Sequence, residues 1–330
     1  MTSPRRYLLS APRRAVQAFA AVGAAALLLT GCGSDSGSDK PKNEAKSGGG
    51  ETREVKDATG TVVKVPAHPQ RIVTLTQEDL DAVLALGLKP VGITNGQGLN
   101  KPPAYLEEKV KGINVVGNLL QPVMDKVLAA KPDLILAGDM QDQQVLKQLR
   151  EITPATLVTM APTDDWKLSF RGIANAVNGM DKANKVIADY EAKAKKAGEE
   201  LGDNKGAEVS IVRWNPEGPS WMEKKQFASG VALDMGLKRP KTQDKDGNAH
   251  TPPLSLEKIS EIDGDWLFLS TLTSDGEKAL KDVQEKPAYK DLNAVKKNHA
   301  VTVNGSVWST RGGPLASDVV IDDIVKALKK

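Results

Sequence analysis

The feature that most constrains the fold is a long helical pattern near the middle of the chain. Apolar or small side chains recur with the spacing of one helix face from Asp181 to Leu201. Gly179 precedes this pattern and Gly202 follows it, as expected at helix ends. At 1.5 Å per residue, such a helix spans about 30 Å, which is enough to connect two lobes. A single rigid helix would permit only modest hinge motion between them.

Short β-branched runs alternate with helical patterns on both sides of this helix. The predicted strands are Thr61–Val65, Arg71–Leu75, Val91–Thr94, Val115–Val116, Leu134–Ala137, Leu157–Thr159, Glu208–Arg213, Trp266–Ser270 and Ala300–Val303. Such alternation indicates parallel βαβ units. We therefore predict an α/β fold of two Rossmann-like lobes, each with a central, mostly parallel sheet. The predicted boundaries are residues 53–180 for the N-terminal lobe, 181–202 for the connecting helix and 203–330 for the C-terminal lobe.

The first 31 residues are predicted to be a signal peptide. Paired arginines precede an apolar run from Ala15 to Leu29, which is too short to span a bilayer comfortably. The run ends in Leu29-Thr30-Gly31-Cys32, which resembles the bacterial lipobox, so we expect cleavage before Cys32 and a lipid on that residue. A buried cysteine in an ordinary helix is the alternative, but polar sequence follows immediately. The arginines fit either the general secretory or the twin-arginine export route.

Residues 32–52 are mostly Gly, Ser, Asp, Lys and Glu, which predicts a flexible tether on the extracytoplasmic face of the cell membrane. Cys32 is the only cysteine, so no intrachain disulfide can form. Residues 1–31 hold four of the 45 basic residues and none of the 42 acidic ones, which leaves a net charge of −1 from Cys32 onward. This balance argues against nucleic acid as a partner.

A weak internal repeat supports two related lobes. Asp125 opens a predicted short helix, and Asp133 lies eight residues later, directly before a hydrophobic strand. Glu257 and Asp265 show the same spacing in the second half. Simple helix capping is the alternative explanation for either acid alone, because acidic residues favour the first turn of any helix. The shared spacing, once in each lobe, favours a functional role for Asp125 and Glu257.

A ligand would bind outside the carboxyl ends of the strands, in the cleft between the lobes. The candidate ligand-binding residues in the loops of this region are Gln77, Asn95, Gln121, Arg213, Trp214, Trp221, Trp308 and Arg311. Arg213 ends an apolar strand, so it needs either a local partner such as Glu217 or an anionic ligand atom. Core packing is the alternative for each tryptophan, whereas Trp166 and Trp266 are predicted to be core residues.

Several motifs, in order along the chain, are similar to one known family. They are Val65–Val73, Leu86–Ile93, Lys131–Ile135, Val209–Trp214, Gly230–Pro240, Leu292–Val295 and Trp308–Pro314. They resemble the substrate-binding proteins of ABC importers for iron–siderophore complexes, haem and vitamin B12, in particular the ferric-siderophore branch. The resemblance implies the class III periplasmic-binding-protein fold, with its helical backbone. It also implies that Asp125 and Glu257 dock into permease arginines, although the family usually has glutamate at both positions.

The same resemblance implies a monomeric lipoprotein that captures a ferric siderophore and delivers it to a permease, with ATP used by a separate ATPase subunit. The predicted cleft loops hold only Arg213 and Arg311 as cations, which favours a hydroxamate complex over a triply anionic catecholate. The iron would arrive chelated, so we expect no direct metal ligands and no cofactor. No catalytic motif occurs, and we predict no enzyme activity. A vitamin B12 or haem binder is the alternative; haem would need an axial residue, and the sequence does not place Tyr105, His68 or His250 in a cleft loop.

Overall fold

The N-terminal lobe is built on a six-stranded sheet. The computed structural model describes residues 50–329, so the predicted signal peptide, Cys32 and most of the predicted tether lie outside the described residues. The first eight strands are β1 (Thr52–Lys56), β2 (Val62–Pro66), β3 (Ile72–Thr74), β4 (Gly92–Thr94), β5 (Asn114–Asn118), β6 (Gln121–Pro122), β7 (Leu134–Leu136) and β8 (Thr156–Leu157). The sheet order is β6-β5-β4-β3-β7-β8, and only β6 runs antiparallel to its neighbour.

Strands β1 and β2 form a separate antiparallel ribbon. The strand predicted near Thr61–Val65 therefore exists but does not belong to the parallel sheet. Thr52, the last residue of the predicted tether, already lies in β1 and is paired with Pro66.

The C-terminal lobe has a four-stranded sheet. Its strands are β9 (Val209–Asn215), β10 (Gly218–Trp221), β11 (Trp266–Ser270) and β12 (Ala300–Thr302). The order is β10-β9-β11-β12, with β9, β11 and β12 parallel and β10 returning antiparallel to β9. The prediction of an α/β fold with two mostly parallel sheets is confirmed.

Helices cover both sheets and connect the lobes. They are α1 (Gln77–Ala85), α2 (Met124–Ala129), α3 (Gln143–Ile152), α4 (Trp166–Ala176), α5 (Met180–Glu199), α6 (Phe227–Asp234), α7 (Ser274–Gln284), α8 (Pro287–Lys290), α9 (Asn293–Lys296), α10 (Gly305–Trp308) and α11 (Pro314–Leu328). Short 3₁₀ helices cover Ala104–Val110, Gly202–Asn204 and Leu256–Ile262. Within residues 50–329, every helix is too short or too polar to cross a bilayer.

The connecting helix α5 buries one face, as its apolar spacing predicts. Ala183, Ile187, Tyr190 and Ala194 lie on this face and belong to the largest hydrophobic cluster. That cluster is continuous across the lobes, since it also includes Leu134 of β7 and Phe268 of β11 together with neighbouring core residues. A shared core of this kind stiffens the connection between the lobes.

The internal repeat has a clear structural basis. Asp133, directly before β7, accepts hydrogen bonds from the backbone N–H groups of Gln70 and Arg71 at 2.7 and 2.9 Å. Asp265, directly before β11, accepts one from the N–H of Glu208 at 2.9 Å. In each lobe the side chain of an aspartate thus links the start of one strand to the start of its parallel neighbour through hydrogen bonds.

Candidate ligand-binding cleft

The described chain forms a cavity of about 290 Å³ at the carboxyl ends of the parallel strands of both lobes. The N-terminal lobe contributes Thr76, Gln77, Glu78, Gln97, Leu119, Leu120, Asp139 and Met160. The C-terminal lobe contributes Arg213, Gln226, His250, Ser309, Thr310 and Arg311. Both lobes therefore place polar side chains on the wall, next to the apolar Leu119, Leu120 and Met160, at the site where open α/β sheets bind ligands.

Gln77 lies where β3 leads into α1. Thr76 caps this helix by accepting a hydrogen bond from the N–H of Asp79, which fixes the first turn beside the cavity. The Gln77 amide nitrogen donates to the Ser306 carbonyl at 2.7 Å and to the Thr310 hydroxyl at 3.1 Å, both in the other lobe. Gln77 is thus both a cavity residue, as predicted, and a link between the lobes.

Arg213 is brought to the cavity from near the end of β9. Its side chain is half-buried, burial lowers the pKa of the guanidinium, and no carboxylate in residues 50–329 offsets this effect. The Nε atom is buried and has no hydrogen-bond partner within the described part of the chain. The alternative pairing with Glu217 therefore does not form in this structure.

The three candidate tryptophans are not on the cavity wall, and this expectation is corrected. Successive side chains of a strand point to opposite faces, so Trp214 faces away from the side that Arg213 occupies. Trp221 lies opposite Val212 across the β9–β10 ladder. Val212, Trp214 and Trp221 belong to one hydrophobic cluster. Trp214 and Trp221 are each 2% exposed.

Trp308 is also a core residue, with 1% of its surface exposed. Its ring stacks on Phe268 with centroids 4.7 Å apart, and its Nε1–H donates to Asp323 at 2.9 Å. Trp166 and Trp266 are buried in the same cluster, as predicted.

Asn95 and Gln121 do not line the 290 Å³ cavity. Gln121 lines an adjacent cavity of about 330 Å³, and the two cavities share the wall residues Gln97 and Leu119. Asn95 donates from its side-chain amide to the side chain of Asn118, another residue of this second cavity, at 2.9 Å.

Arg311 lines the cavity, but its guanidinium already has protein partners. It donates to the carbonyl of Pro162 at 2.6 Å and to that of Ala161 at 3.3 Å, across the lobe boundary. One guanidinium nitrogen also lies 3.8 Å from a carboxylate oxygen of the buried Glu78. Burial raises the pKa of Glu78 well above its usual range, and Arg311 offsets only part of that rise.

Sequence reasoning missed His250 as a cavity residue. It lies in the irregular segment after α6, bridged to Met222, where no strand end or motif marks it. Burial and the adjacent charge of Arg213 lower the pKa of His250 to about 4, so the imidazole is neutral at pH 7. Its Nε2 atom is buried and has no partner among residues 50–329.

The two acids of the repeat occupy matching places. Asp125 is in the first turn of α2, Glu257 is in the first turn of the Leu256–Ile262 helix, and both are exposed. The N-cap residues of these helices, Val123 and Ser255, make no capping hydrogen bond through a side chain. Across residues 50–329, no cluster of three or more His, Cys, Asp or Glu side chains is arranged to hold a metal ion.

Two α/β lobes, a connecting helix and a cleft lined by side chains of both lobes at the strand ends define a two-lobed ligand-binding protein. The model of the periplasmic binding protein family matches residues 72–306. The "probable siderophore-binding lipoprotein YfiY" of Bacillus subtilis (strain 168) is 34% identical to this chain, covering 91% of the chain and 94% of YfiY. The "iron(3+)-hydroxamate-binding protein FhuD" of the same organism is 30% identical over 82% of this chain and 84% of its own length.

Among solved structures, Staphylococcus aureus SirA complexed with staphyloferrin B superposes with a TM-score of 0.73. The two chains are 24% identical, and the match covers 84% of this chain and 98% of SirA, which shows a common fold. The chain belongs to the periplasmic binding protein family, whose members are substrate-binding proteins. The family expected from the sequence motifs is confirmed.

Proposed function

We propose that this chain is an extracytoplasmic lipoprotein that captures a ferric siderophore of the hydroxamate type in the interlobe cleft and delivers it to an ABC permease. The observation that carries the proposal is the cavity between the lobes, whose wall includes Arg213, a cation with no carboxylate partner within residues 50–329. The similarity to proteins named for siderophore and iron(3+)-hydroxamate binding supports it.

The charges around the cavity favour a ligand of low net charge. The guanidinium of Arg311 already donates to two backbone carbonyls and lies 3.8 Å from an oxygen of Glu78, so among the described residues Arg213 is the arginine left to meet a ligand oxygen. Asp139 adds an acid to the wall. A ferric tris-catecholate carries three negative charges and would call for several converging cations, whereas a ferric hydroxamate complex is neutral or slightly positive.

Delivery depends on the two exposed acids and on the anchor. Asp125 and Glu257 would each meet an arginine of the permease, one acid from each lobe, while the ATPase subunit supplies the energy. A lipid on Cys32 would hold the protein at the membrane through residues 32–52, whose root-mean-square reach as a random coil is roughly 25 Å. The protein would act as a monomer.

Titration of the intrinsic tryptophan fluorescence tests the ligand class. Addition of a ferric trihydroxamate should quench the emission saturably at one equivalent. Cobalamin and haem, the alternative ligands, should produce no saturable change at matched concentrations. Saturable binding of cobalamin or haem without binding of the ferric trihydroxamate would reverse the assignment, even though His250 lies on the cavity wall.

Docking is tested separately from binding with the double variant Asp125→Ala/Glu257→Ala. We expect unchanged ligand affinity and impaired cellular uptake of the iron complex, because both side chains are exposed and absent from the cavity lining. Glu108→Ala removes an exposed acid from another 3₁₀ helix and serves as the matched control. Normal uptake by the double variant would remove the docking role.

A further inference from the structure

Four buried polar atoms on the cavity-lining residues have no hydrogen-bond partner within residues 50–329. They are Gln77 Oε1, Glu78 Oε2, Arg213 Nε and His250 Nε2. Glu78 Oε2 lies 3.8 Å from a guanidinium nitrogen of Arg311, within the range of an ion pair. Buried polar atoms are nearly always paired, so the other three atoms, on residues of one cavity, call for an explanation. Gln77 belongs to the N-terminal lobe, and Arg213 and His250 belong to the C-terminal lobe.

Gln77 can offer a ligand only an acceptor. Its amide nitrogen points to the Ser306 carbonyl, which cannot donate, so the nitrogen and oxygen of this amide cannot exchange places. The same nitrogen also contacts the hydroxyl of Thr310. The remaining capacity of the side chain is therefore the lone pairs of Oε1, which require an N–H or O–H donor.

Arg213 requires the opposite group. A guanidinium has no acceptor atom, so the unpaired Nε–H can be satisfied only by an oxygen or another lone pair. His250 is neutral, and its unpaired Nε2 accepts or donates according to the tautomer. On the C-terminal side of the cavity, Arg213 therefore requires a hydrogen-bond acceptor, and His250 can pair with either an acceptor or a donor.

We propose that the cleft recognises secondary amide groups in the organic shell of its ligand, with Gln77 accepting from the amide N–H and Arg213 donating to the amide C=O, while His250 contacts the same shell. A trans secondary amide is planar and presents its N–H and C=O in opposite directions, so one such group offers both the donor that Gln77 requires and the acceptor that Arg213 requires. This inference rests on the proposed function, because it specifies the ligand of that cleft. It places recognition in the chelator's backbone rather than in the charge of the iron centre.

A pair of ferric trihydroxamates tests the proposal: one with secondary amides between its hydroxamates, and one with each amide replaced by an ester. The wild-type protein should bind the ester complex about ten- to one-hundred-fold more weakly in calorimetric titration, because the ester has no N–H donor. Equal affinity for both complexes would overturn the proposal while leaving the proposed function intact. Failure to bind either complex would instead contradict the proposed function.

Two protein variants assign the contacts. In Gln77→Met the preference for the amide complex should shrink to less than about threefold, and an undiminished preference would exclude Gln77 as the acceptor. His250→Phe should weaken binding of the amide complex several-fold, whereas His250→Gln, which keeps a hydrogen-bonding group, should stay closer to the wild type. Unchanged affinity in His250→Phe would exclude His250. Because Gln77 also links the lobes, thermal denaturation must show that its variant is folded; the two ligands with wild-type protein test the proposal in any case.

Discussion

Replacing Arg213 by methionine separates a binding role from a structural one. The guanidinium is half-buried beside the cavity, and within the described residues it has no ion pair and its Nε has no hydrogen-bond partner. Methionine keeps much of the length of the side chain and removes both the charge and the donors. The free protein therefore loses little that stabilises it, while the complex loses a charged donor to the ligand.

The expected size of the effect follows from these contacts. A hydrogen bond that involves a charged group contributes about 1.5–3 kcal/mol. At 1.4 kcal/mol for each factor of ten, the dissociation constant of Arg213→Met should rise by about ten- to one-hundred-fold. Its free energy of unfolding should be unchanged or higher, because an unpaired cation that resists burial has been removed.

Calorimetric titration with the ferric trihydroxamate and chemical denaturation without ligand measure the two quantities. Arg311→Met is the matched control. The guanidinium of Arg311 donates hydrogen bonds to the carbonyls of Pro162 and Ala161 across the lobes, so the Arg311→Met variant, unlike Arg213→Met, should have a lower free energy of unfolding. A large loss of stability in Arg213→Met with an unchanged dissociation constant would make Arg213 a structural residue and exclude it as a ligand contact.

Three further predictions follow from buried groups. Burial raises the pKa of Asp79 to about 6, so the folded protein binds a proton at a higher pH than the unfolded chain does. The free energy of unfolding should therefore increase as pH falls from about 7 to 4, and Asp79→Asn should reduce that increase. A denaturation series across this pH range measures both effects. Trp214→Phe should lower the free energy of unfolding by about 1–3 kcal/mol without weakening ligand binding; weaker binding at full stability would restore Trp214 as a contact. Gly313→Ala should destabilise the protein by about 1–3 kcal/mol, as measured by denaturation, because a Cβ there would lie 2.6 Å from Asp81 Oδ1, which accepts from the N–H of Leu315; unchanged stability would show that this contact gives way freely.

The sequence was sufficient for the parts of the site that regular elements position. Strand ends are marked by β-branched runs, so the loop that holds Gln77 could be placed beside a cleft from the pattern alone. The helix predicted from Asp181 to Leu201 is α5, which begins one residue earlier, at Met180, and ends two residues earlier, at Glu199. Arg213 could be selected because a cation at the end of an apolar strand needs a partner.

The site residues that the sequence did not predict correctly depend on which way side chains point and on irregular backbone. Arg213 and Trp214 are neighbours in β9 and face opposite sides, so at most one of them could line the cavity. Sequence alone does not say which face of a central strand meets a cleft when both faces are apolar. His250 was missed because its position depends on a long irregular segment that carries no periodic signal.

Native mass spectrometry of the protein mixed with a ferric trihydroxamate shows directly whether the protein binds the intact iron chelate. We expect a one-to-one complex whose added mass equals that of the intact iron chelate, and a smaller bound fraction for Arg213→Met at the same concentrations. An added mass equal to iron alone would contradict capture of chelated iron, and a bound fraction that Arg213→Met leaves unchanged would contradict binding beside Arg213 in the interlobe cleft.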